Sequence, residues 1–278
     1  MKSSERLGEL EPPRREVSLP VGYTEHAPPP DLAAAVVCVW TRHLPIAADI
    51  GDQRVIPDGC ADILFAFGGG QTSAEEGVEA DVVGPMTRPL VVSGLQPRLY
   101  VGVRLAPGFA PLLTNTPVSE IVDLRLAYGE LSPFAGSDIE FEAAATSDGD
   151  RVRRAFGVVR KRLAAGGRIS RSLVEAVRRI TAARGSVRVA ALAQDLGVTR
   201  QHLARRFASD VGVSPKLFAR IIRTQAVVAR ADAARAAYPR NAGTPNWSAI
   251  AQELGYCDQP HLIDEFRELT GVTPGEWV

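Results

Sequence analysis

Apolar positions follow two different rhythms along this chain. Up to about Leu105 they come in short runs or alternate with polar residues, over roughly Val36 to Arg42, Arg54 to Ile56, Asp62 to Phe67, Asp81 to Val83, Leu90 to Ser93 and Arg98 to Leu105. Short runs and a period of two are what half-buried or buried strands require, so these segments predict β-strands. The breaks between them carry turn chemistry, in Pro57-Asp58-Gly59, Gly68-Gly69-Gly70, Gly84-Pro85 and Gln96-Pro97. Many short strands with such turns predict a β-rich N-terminal half, a barrel or a sandwich. Residues 1 to about 30 are polar and proline-rich, ending in Pro28-Pro29-Pro30, and predict a flexible segment.

Beyond Leu105 the spacing turns helical. Residues 107 to 113 and 117 to 122 predict two short helices, and the polar stretch 135 to 150 marks a natural boundary. Val152, Ala155, Phe156, Val159 and Leu163 then recur at helical spacing, surrounded by Arg151, Arg153, Arg154, Arg160, Lys161 and Arg162. A helix of this kind needs a partner surface. Either its own domain supplies it, or the same helix of a second copy does, which makes residues 135 to 171 a helical connector and a candidate dimerisation element. A further helix is predicted from about Arg171 to Ala183.

The C-terminal part contains a repeat. Leu192-Ala193-Gln194-Asp195-Leu196-Gly197, followed by His202-Leu203, Phe207 and Gly212-Val213-Ser214-Pro215, returns as Ile250-Ala251-Gln252-Glu253-Leu254-Gly255, His261-Leu262, Phe266 and Gly271-Val272-Thr273-Pro274. Val189, Leu192, Ala193 and Leu196 line one side of a short helix, and Gly197 ends it where positive φ is needed. Thr199 then caps a second helix whose Leu203 and Phe207 face inward. Helix, tight turn, helix is the arrangement in which the second helix of a DNA reader enters the major groove. Between the copies, Ser214-Pro215 opens a long helix with Leu217, Phe218, Ile221, Ile222 and Val228 on its apolar side, fading near Tyr238-Pro239, and a loop spans Asn241 to Asn246.

Charge separates the halves in the same way. Residues 1–150 hold 10 Lys/Arg against 22 Asp/Glu and residues 151–278 hold 22 against 10, so a net of zero conceals −12 followed by +12. A basic half beside an acidic one points to nucleic acid at the C-terminal end. Three scattered cysteines, Cys38, Cys60 and Cys257, form neither a disulfide framework nor a Cys-x-x-Cys metal site, and no apolar run approaches a membrane span. The expectation is a cytoplasmic protein.

The doubled helix-turn-helix joined by one long helix, with Phe-x4-Gly-Val-[Ser/Thr]-Pro closing each copy, resembles the DNA-binding domain of AraC/XylS-type transcription regulators over about residues 172 to 278. Val55 to Phe65 and Gly102-Val103-Arg104-Leu105-Ala106-Pro107-Gly108 look like the N-terminal region of one AraC-like subgroup, taken as a sensor of cupin-like outline. The resemblance implies an α+β chain: a flexible segment at 1–30, a β-rich sensor at 31–134, the connector at 135–171, and an all-α double reader at 172–278. It implies groove-facing Arg200, Gln201, Ala204 and Arg205 in the first copy, with Arg205 suited to guanine, Gln201 to adenine and Ala204 to a thymine methyl, and with Thr199 and Arg206 meeting phosphate. In the second copy the matching positions are Gln259, Pro260, Ile263 and Asp264, with Arg267 nearby. Residues 251–278 carry one arginine against six acids, so the first reader is expected to supply most of the affinity. Cys257 falls at the turn that Thr199 occupies in the first copy.

The N-terminal half offers little catalytic chemistry. Only His26 and His43 lie outside the repeat, too few for a cupin-type metal centre, so neither metal nor cofactor is expected. Asp58 and Asp62 could imitate paired catalytic carboxylates, but Pro-Asp-Gly is ordinary turn chemistry. Gly68-Gly69-Gly70 lacks the Lys-Ser/Thr that a phosphate cradle needs. Trp40, Phe65, Phe67, Met86, Tyr100 and Phe109 are the candidate lining of an effector pocket, and core packing explains each equally well. The reading is therefore a regulator and not an enzyme, binding double-stranded DNA and a small-molecule effector, with RNA polymerase as a partner if it activates and a homodimer as one possible assembly. Two alternatives remain open at this point: an enzyme domain fused to a DNA-binding tail, and a constitutive DNA-binding protein whose first half only dimerises. The acidic half is further expected to lean electrostatically on the basic one when effector is absent.

Overall fold

A computed structural model describes residues 22–44, 53–68, 78–92, 99–132, 135–143, 145–166, 169–237 and 245–277. The turns at Gly69-Gly70 and Gln96-Pro97, the strand ends Ser93 and Arg98, Tyr238-Pro239 and most of the loop at 241–246 lie outside the described residues, as does 1–21.

Eight strands are described: β1 (Tyr23–His26), β2 (Val36–His43), β3 (Gln53–Val55), β4 (Ala61–Phe67), β5 (Val78–Val83), β6 (Leu90–Val92), β7 (Leu99–Leu105) and β8 (Arg125–Ala127). Six form an antiparallel sheet in the order β1-β2-β7-β4-β5-β8, and β3 pairs with β6 in a separate ribbon. β1 corrects the expectation of an unstructured run up to Pro30. An edge strand of four residues with exposed Thr24 and Glu25 has too little apolar alternation to show in the sequence. Two of the predicted short helices are single 3₁₀ turns, at Ala110–Leu112 and Val118–Glu120.

Alternation along the sheet divides its side chains between two faces. Ile63, Phe65, Phe67, Val101 and Val103 join the principal core, and Leu64, Ala66 and Tyr100 join a smaller cluster on the opposite face. Three helices follow: α1 (Tyr128–Leu131), α2 (Ala135–Ala143) and α3 (Asp148–Ala164). Ser147 caps α3 by accepting from the Asp150 amide. The apolar side of α3, with Val152, Ala155, Phe156 and Val159, closes the principal core, so the sheet of its own chain is the partner surface this helix required. One of its arginines does not lie on the solvated side. Arg162 is 4% exposed and pairs with Asp138 of α2 at 2.5 Å, while the Tyr128 hydroxyl donates to the same carboxylate at 2.8 Å.

The C-terminal half is helical: α4 (Arg171–Ala182), α5 (Val189–Asp195), α6 (Arg200–Asp210), α7 (Pro215–Ala237), α8 (Trp247–Glu253), α9 (Gln259–Thr270) and α10 (Pro274–Trp277). It holds two cores, and α7 belongs to both. Phe218 and Ala219 pack with Leu173, Ile180, Leu203 and Phe207 in the first, and Val227, Val228 and Ala231 pack with Trp247, Leu254, Leu262 and Phe266 in the second. Gly197, Gly212, Gly255 and Gly271, at matching positions of the repeat, all take positive φ, as helix ends of this geometry require.

Removing the Asp138 carboxylate takes from the buried Arg162 its ion pair and from Tyr128 its acceptor. Asp138→Ala is expected to lower stability by about 3–5 kcal/mol in denaturant titration. A second expectation concerns acid. Hydrogen bonds from Arg178 and Arg179 hold the Glu175 carboxyl down at about 2. Its contribution is then complete above its ordinary value near 4.5 and is lost as pH falls towards 2, so Glu175→Gln should be modestly less stable than wild type at pH 7 and should flatten the loss of stability over that window, the two converging near pH 2.

Candidate nucleic-acid interface

In the first reader, Thr199 caps α6 by accepting from the His202 amide at 3.1 Å, which fixes where the helix starts. With Leu203 and Phe207 buried beneath it, Arg200, Gln201, Ala204 and Arg205 all emerge exposed, at the spacing that places them on one side of a helix. Beside them lies an open hollow of about 550 Å³, lined by Val187, Val189, Arg200, Gln201, Ala204, Ser214, Pro215 and Lys216. Lys216 and the exposed Arg188 are cations that motif reading did not single out. The signal for Lys216 was present in Ser214-Pro215, where the Ser214 hydroxyl accepts from the Leu217 amide and so fixes the start of α7 beside α6. Arg206 departs from its expected phosphate-facing place. It is half-buried and paired with Asp210 at 2.5 Å, one helical turn on.

The second reader is built on the same plan with different chemistry. Asp258 caps α9 by accepting from the His261 amide at 2.8 Å. Asp258, three residues before His261, therefore takes the place of Thr199, three before His202, and the expected equivalence of Cys257 with Thr199 is corrected by one residue. Cys257 is exposed, and its amide donates to the His261 ring at 3.4 Å. Pro260, Asp264 and Arg267 are exposed, Gln259 accepts from the Ser248 hydroxyl at 2.7 Å, and Ile263 is partly withdrawn against the second core.

The acid count of this reader overstates its repulsion of phosphate. Glu265 is 4% exposed and held by Arg220 at 2.8 Å and Arg223 at 2.9 Å, both from α7. Glu268 pairs with Arg220 at 2.5 Å, and Glu253 pairs with Arg184 and Arg230. Asp258 is the cap, and Glu276 accepts from the Thr273 amide and hydroxyl. Each of these five acids has a partner within the chain, although only Glu265 is buried. Asp264 is exposed at a position that the resemblance assigns to the groove, which makes it the acid expected to repel phosphate most.

The proposed effector residues are divided by the sheet. Phe65, Phe67 and Phe109 lie in the principal core under α3, whereas Trp40 and Tyr100 lie in the cluster on the opposite face, and Met86 is half-buried in the turn after β5. They do not share one pocket. On the second face, Trp40 donates to Asp62 at 3.0 Å, and Arg104 contacts Asp62 at 3.3 Å, Asp58 at 3.5 Å and Glu25 at 3.8 Å. Burial raises the Asp62 carboxyl against the pull of Arg104; burial also works to lower Arg104, but Asp62 and Asp58 outweigh it and hold the guanidinium firmly charged. Asp58 also accepts from the Cys60 amide at 2.9 Å, the turn chemistry expected of Pro-Asp-Gly. Among the described residues no group of three His, Cys, Asp or Glu is placed to hold a metal, and no helix is long and apolar enough to cross a membrane.

Among the described residues, the N-terminal half meets the helical half at α4, where Gly108 lies against Leu173, and at three further places on the readers and the helix between them. Gly59 sits so close to Phe218 of α7 that a Cβ there would lie 2.6 Å from the ring, and Gln225 of α7 donates to the Pro57 carbonyl at 2.5 Å. Gly212, just past α6, lies against Val118 and Val122. Gly271, just past α9, lies against Arg54 and Pro89, and Arg54 donates to the Thr270 carbonyl at 3.0 Å. These contacts are apolar or made by hydrogen bonds, with Ile56 packed on the second core. Ion pairs that join the acidic residues 1–150 to the basic residues 151–278 run through α3, as in Arg160–Asp31 and Arg162–Asp138, whereas Arg220–Glu265 lies within the basic half.

Comparison with known proteins adds two family matches. Residues 24–127 match a domain of unknown function, and residues 192–278 match a helix-turn-helix domain. No curated protein matches the chain. Among solved structures, the chain is similar to ToxT from Vibrio cholerae: an apo variant at 13% identity and TM-score 0.41, covering 86% of this chain and 96% of that one, and another crystal form at 12% and 0.42, covering 92% and 97%. ToxT with an unsaturated fatty acid bound gives 13% and 0.36, covering 86% and 90%.

If the first reader dominates, Arg205→Ala should weaken binding to the chain's own operator by about 10- to 100-fold, the cost of one bidentate base contact, and Gln259→Ala should cost distinctly less. Asp264→Asn should tighten binding and steepen its salt dependence. Fluorescence anisotropy over a salt series reads all three, and equal losses for Arg205→Ala and Gln259→Ala would remove the ranking.

Proposed function

With residues 192–278 forming an AraC-type helix-turn-helix domain in a DNA-binding transcription regulator, we propose that the N-terminal half senses a small effector and sets how its two readers are held. The observation that carries this reading is the three-point seat. One folded body rests on the residues after α6, on the residues after α9, and on the helix between them. It leaves Arg200, Gln201 and Arg205 of the first reader and Asp264 and Arg267 of the second open to solvent.

The seat connects to the sheet interior through one loop. Asp58 and Gly59 are adjacent, so the residue that faces Arg104 and the residue pressed on Phe218 move together. A ligand that alters the Arg104 cluster shifts Gly59 against α7, and it favours whichever arrangement of the readers it binds better. The first reader supplies most of the DNA affinity and the second supplies spacing and orientation. Sequencing the genomic DNA that the protein binds tests the DNA side: a shared sequence motif with a strongly specified half and a weakly specified half is expected, and binding without any motif would defeat the reading.

Gly59→Val places a side chain where φ is +78° and the Phe218 ring is already in contact. Its expected effect is on coupling: an effector that changes wild-type operator affinity should leave that of the variant unchanged, with circular dichroism confirming the helical content. Retention of the full effector response in Gly59→Val would remove this loop from the route.

A further inference from the structure

On the sheet face turned away from α3, Arg125 pairs with Asp81 at the β8 edge, and two further arginines stand in opposite circumstances. Arg104 is surrounded by Asp62, Asp58 and Glu25. Arg42 has no such company. Its Nε and Nη2 are sealed from solvent, and neither has a hydrogen-bond partner. Strand register puts Tyr23 of β1 and Tyr100 of β7 directly across from it, and Trp40 and Leu44 stand two residues away on its own side of the chain. Tyr23 stacks on Trp40 with ring centres 5.6 Å apart. Burial lowers the Arg42 pKa, and the ionisable groups that oppose this are the hydroxyls of Tyr100 and Tyr23, without a carboxylate. A guanidinium stays charged in a protein, so this half-buried one keeps two unused donors, an arrangement that an anion would complete.

We infer that Arg42 anchors a binding site for a small organic carboxylate, whose two oxygens meet the guanidinium fork and whose apolar or aromatic body lies against Trp40, Tyr23, Tyr100 and Leu64. One planar cation matches one planar, singly charged anion. The far end of the face fixes the ligand's direction. Asp58, Asp62 and Glu25 already surround Arg104 there and repel a second anion, so the charged end goes to Arg42 and the body points towards Arg104. Arg42 and Cys38, the residue paired with Arg104, are four residues apart on β2, a separation of about 13 Å. That is within the length of a small molecule, so its far end reaches the cluster beside the Asp58-Gly59 loop. The inference rests on the sensor reading above and assigns that sensor a ligand class.

The test uses the full chain, wild type and Arg42→Met, with phenylacetate and octanoate as carboxylate probes and their primary amides as neutral controls. In wild type, at ten times Kd, at least one carboxylate should raise Tm by about 3–6 °C and its amide should not. In Arg42→Met the carboxylate response should vanish, and the ligand-free variant should melt no lower than wild type, because the uncompensated cation has gone. The inference is overturned if amides stabilise both proteins as well as the acids do, if neither acid shifts wild type, or if Arg42→Met without ligand melts well below it. Operator binding separates the two readings. A carboxylate that binds through Arg42 and leaves operator affinity unchanged upholds the site and removes the sensor role, whereas amides that bind and alter operator affinity uphold the sensor and remove the anion site.

Discussion

The C-terminal half depends on one helix serving two cores. The first turns of α7 bury Phe218 and Ala219 among residues of the first reader, and its later turns bury Val227, Val228 and Ala231 among those of the second. Neither reader has enough apolar surface of its own to close a core without it, since their short helices run to only 7 residues in α5 and α8. A single helix thus fixes the separation of the two helix-turn-helix units, and any force on α7 is felt by both. The same helix supplies Arg220 and Arg223, which hold the buried Glu265 of α9 and lock the second reader to it.

That makes α7 the natural place for the N-terminal half to act. Contact at Phe218 and Gln225 alone would reach the rod, but the seat extends to the end of each reading helix, at Gly212 and Gly271. The two glycines are equivalent in the repeat, and both leave room for a neighbour where a side chain would collide. A glycine that ends a helix serves two purposes here: it takes the positive φ that stops the helix, and it opens a flat landing for another part of the chain.

The helical half was the more legible in the sequence. Its repeat, caps and inward Leu203, Phe207, Leu262 and Phe266 follow from spacing alone, and the structure places them accordingly. What spacing could not show was which charges find each other. Arg206 is taken by Asp210 and Glu265 by two arginines more than forty residues away in sequence, and Arg162 is buried against Asp138. Charge counts treat such residues as surface. In the N-terminal half the central strands were readable, but β1 and β8 lie at the edges, where short polar segments are held by pairing with a neighbour. The aromatic residues offered as one pocket fell on both sides of a sheet, because Phe65 and Phe67 share a parity on β4 that carries them under α3, whereas Trp40 and Tyr100 face the opposite way.

The inequality of the two readers has a consequence for how the molecule lies on its target. Paired identical readers on a twofold axis recognise palindromes and have no front or back. Here a single chain carries an Arg-rich reader at one end of α7 and one with Pro260, Ile263 and Asp264 at the other, under one asymmetric cover. On the function proposed above, such a molecule distinguishes upstream from downstream. Each bound site then becomes a vector, and the direction in which the chain lies along its target is written into one polypeptide.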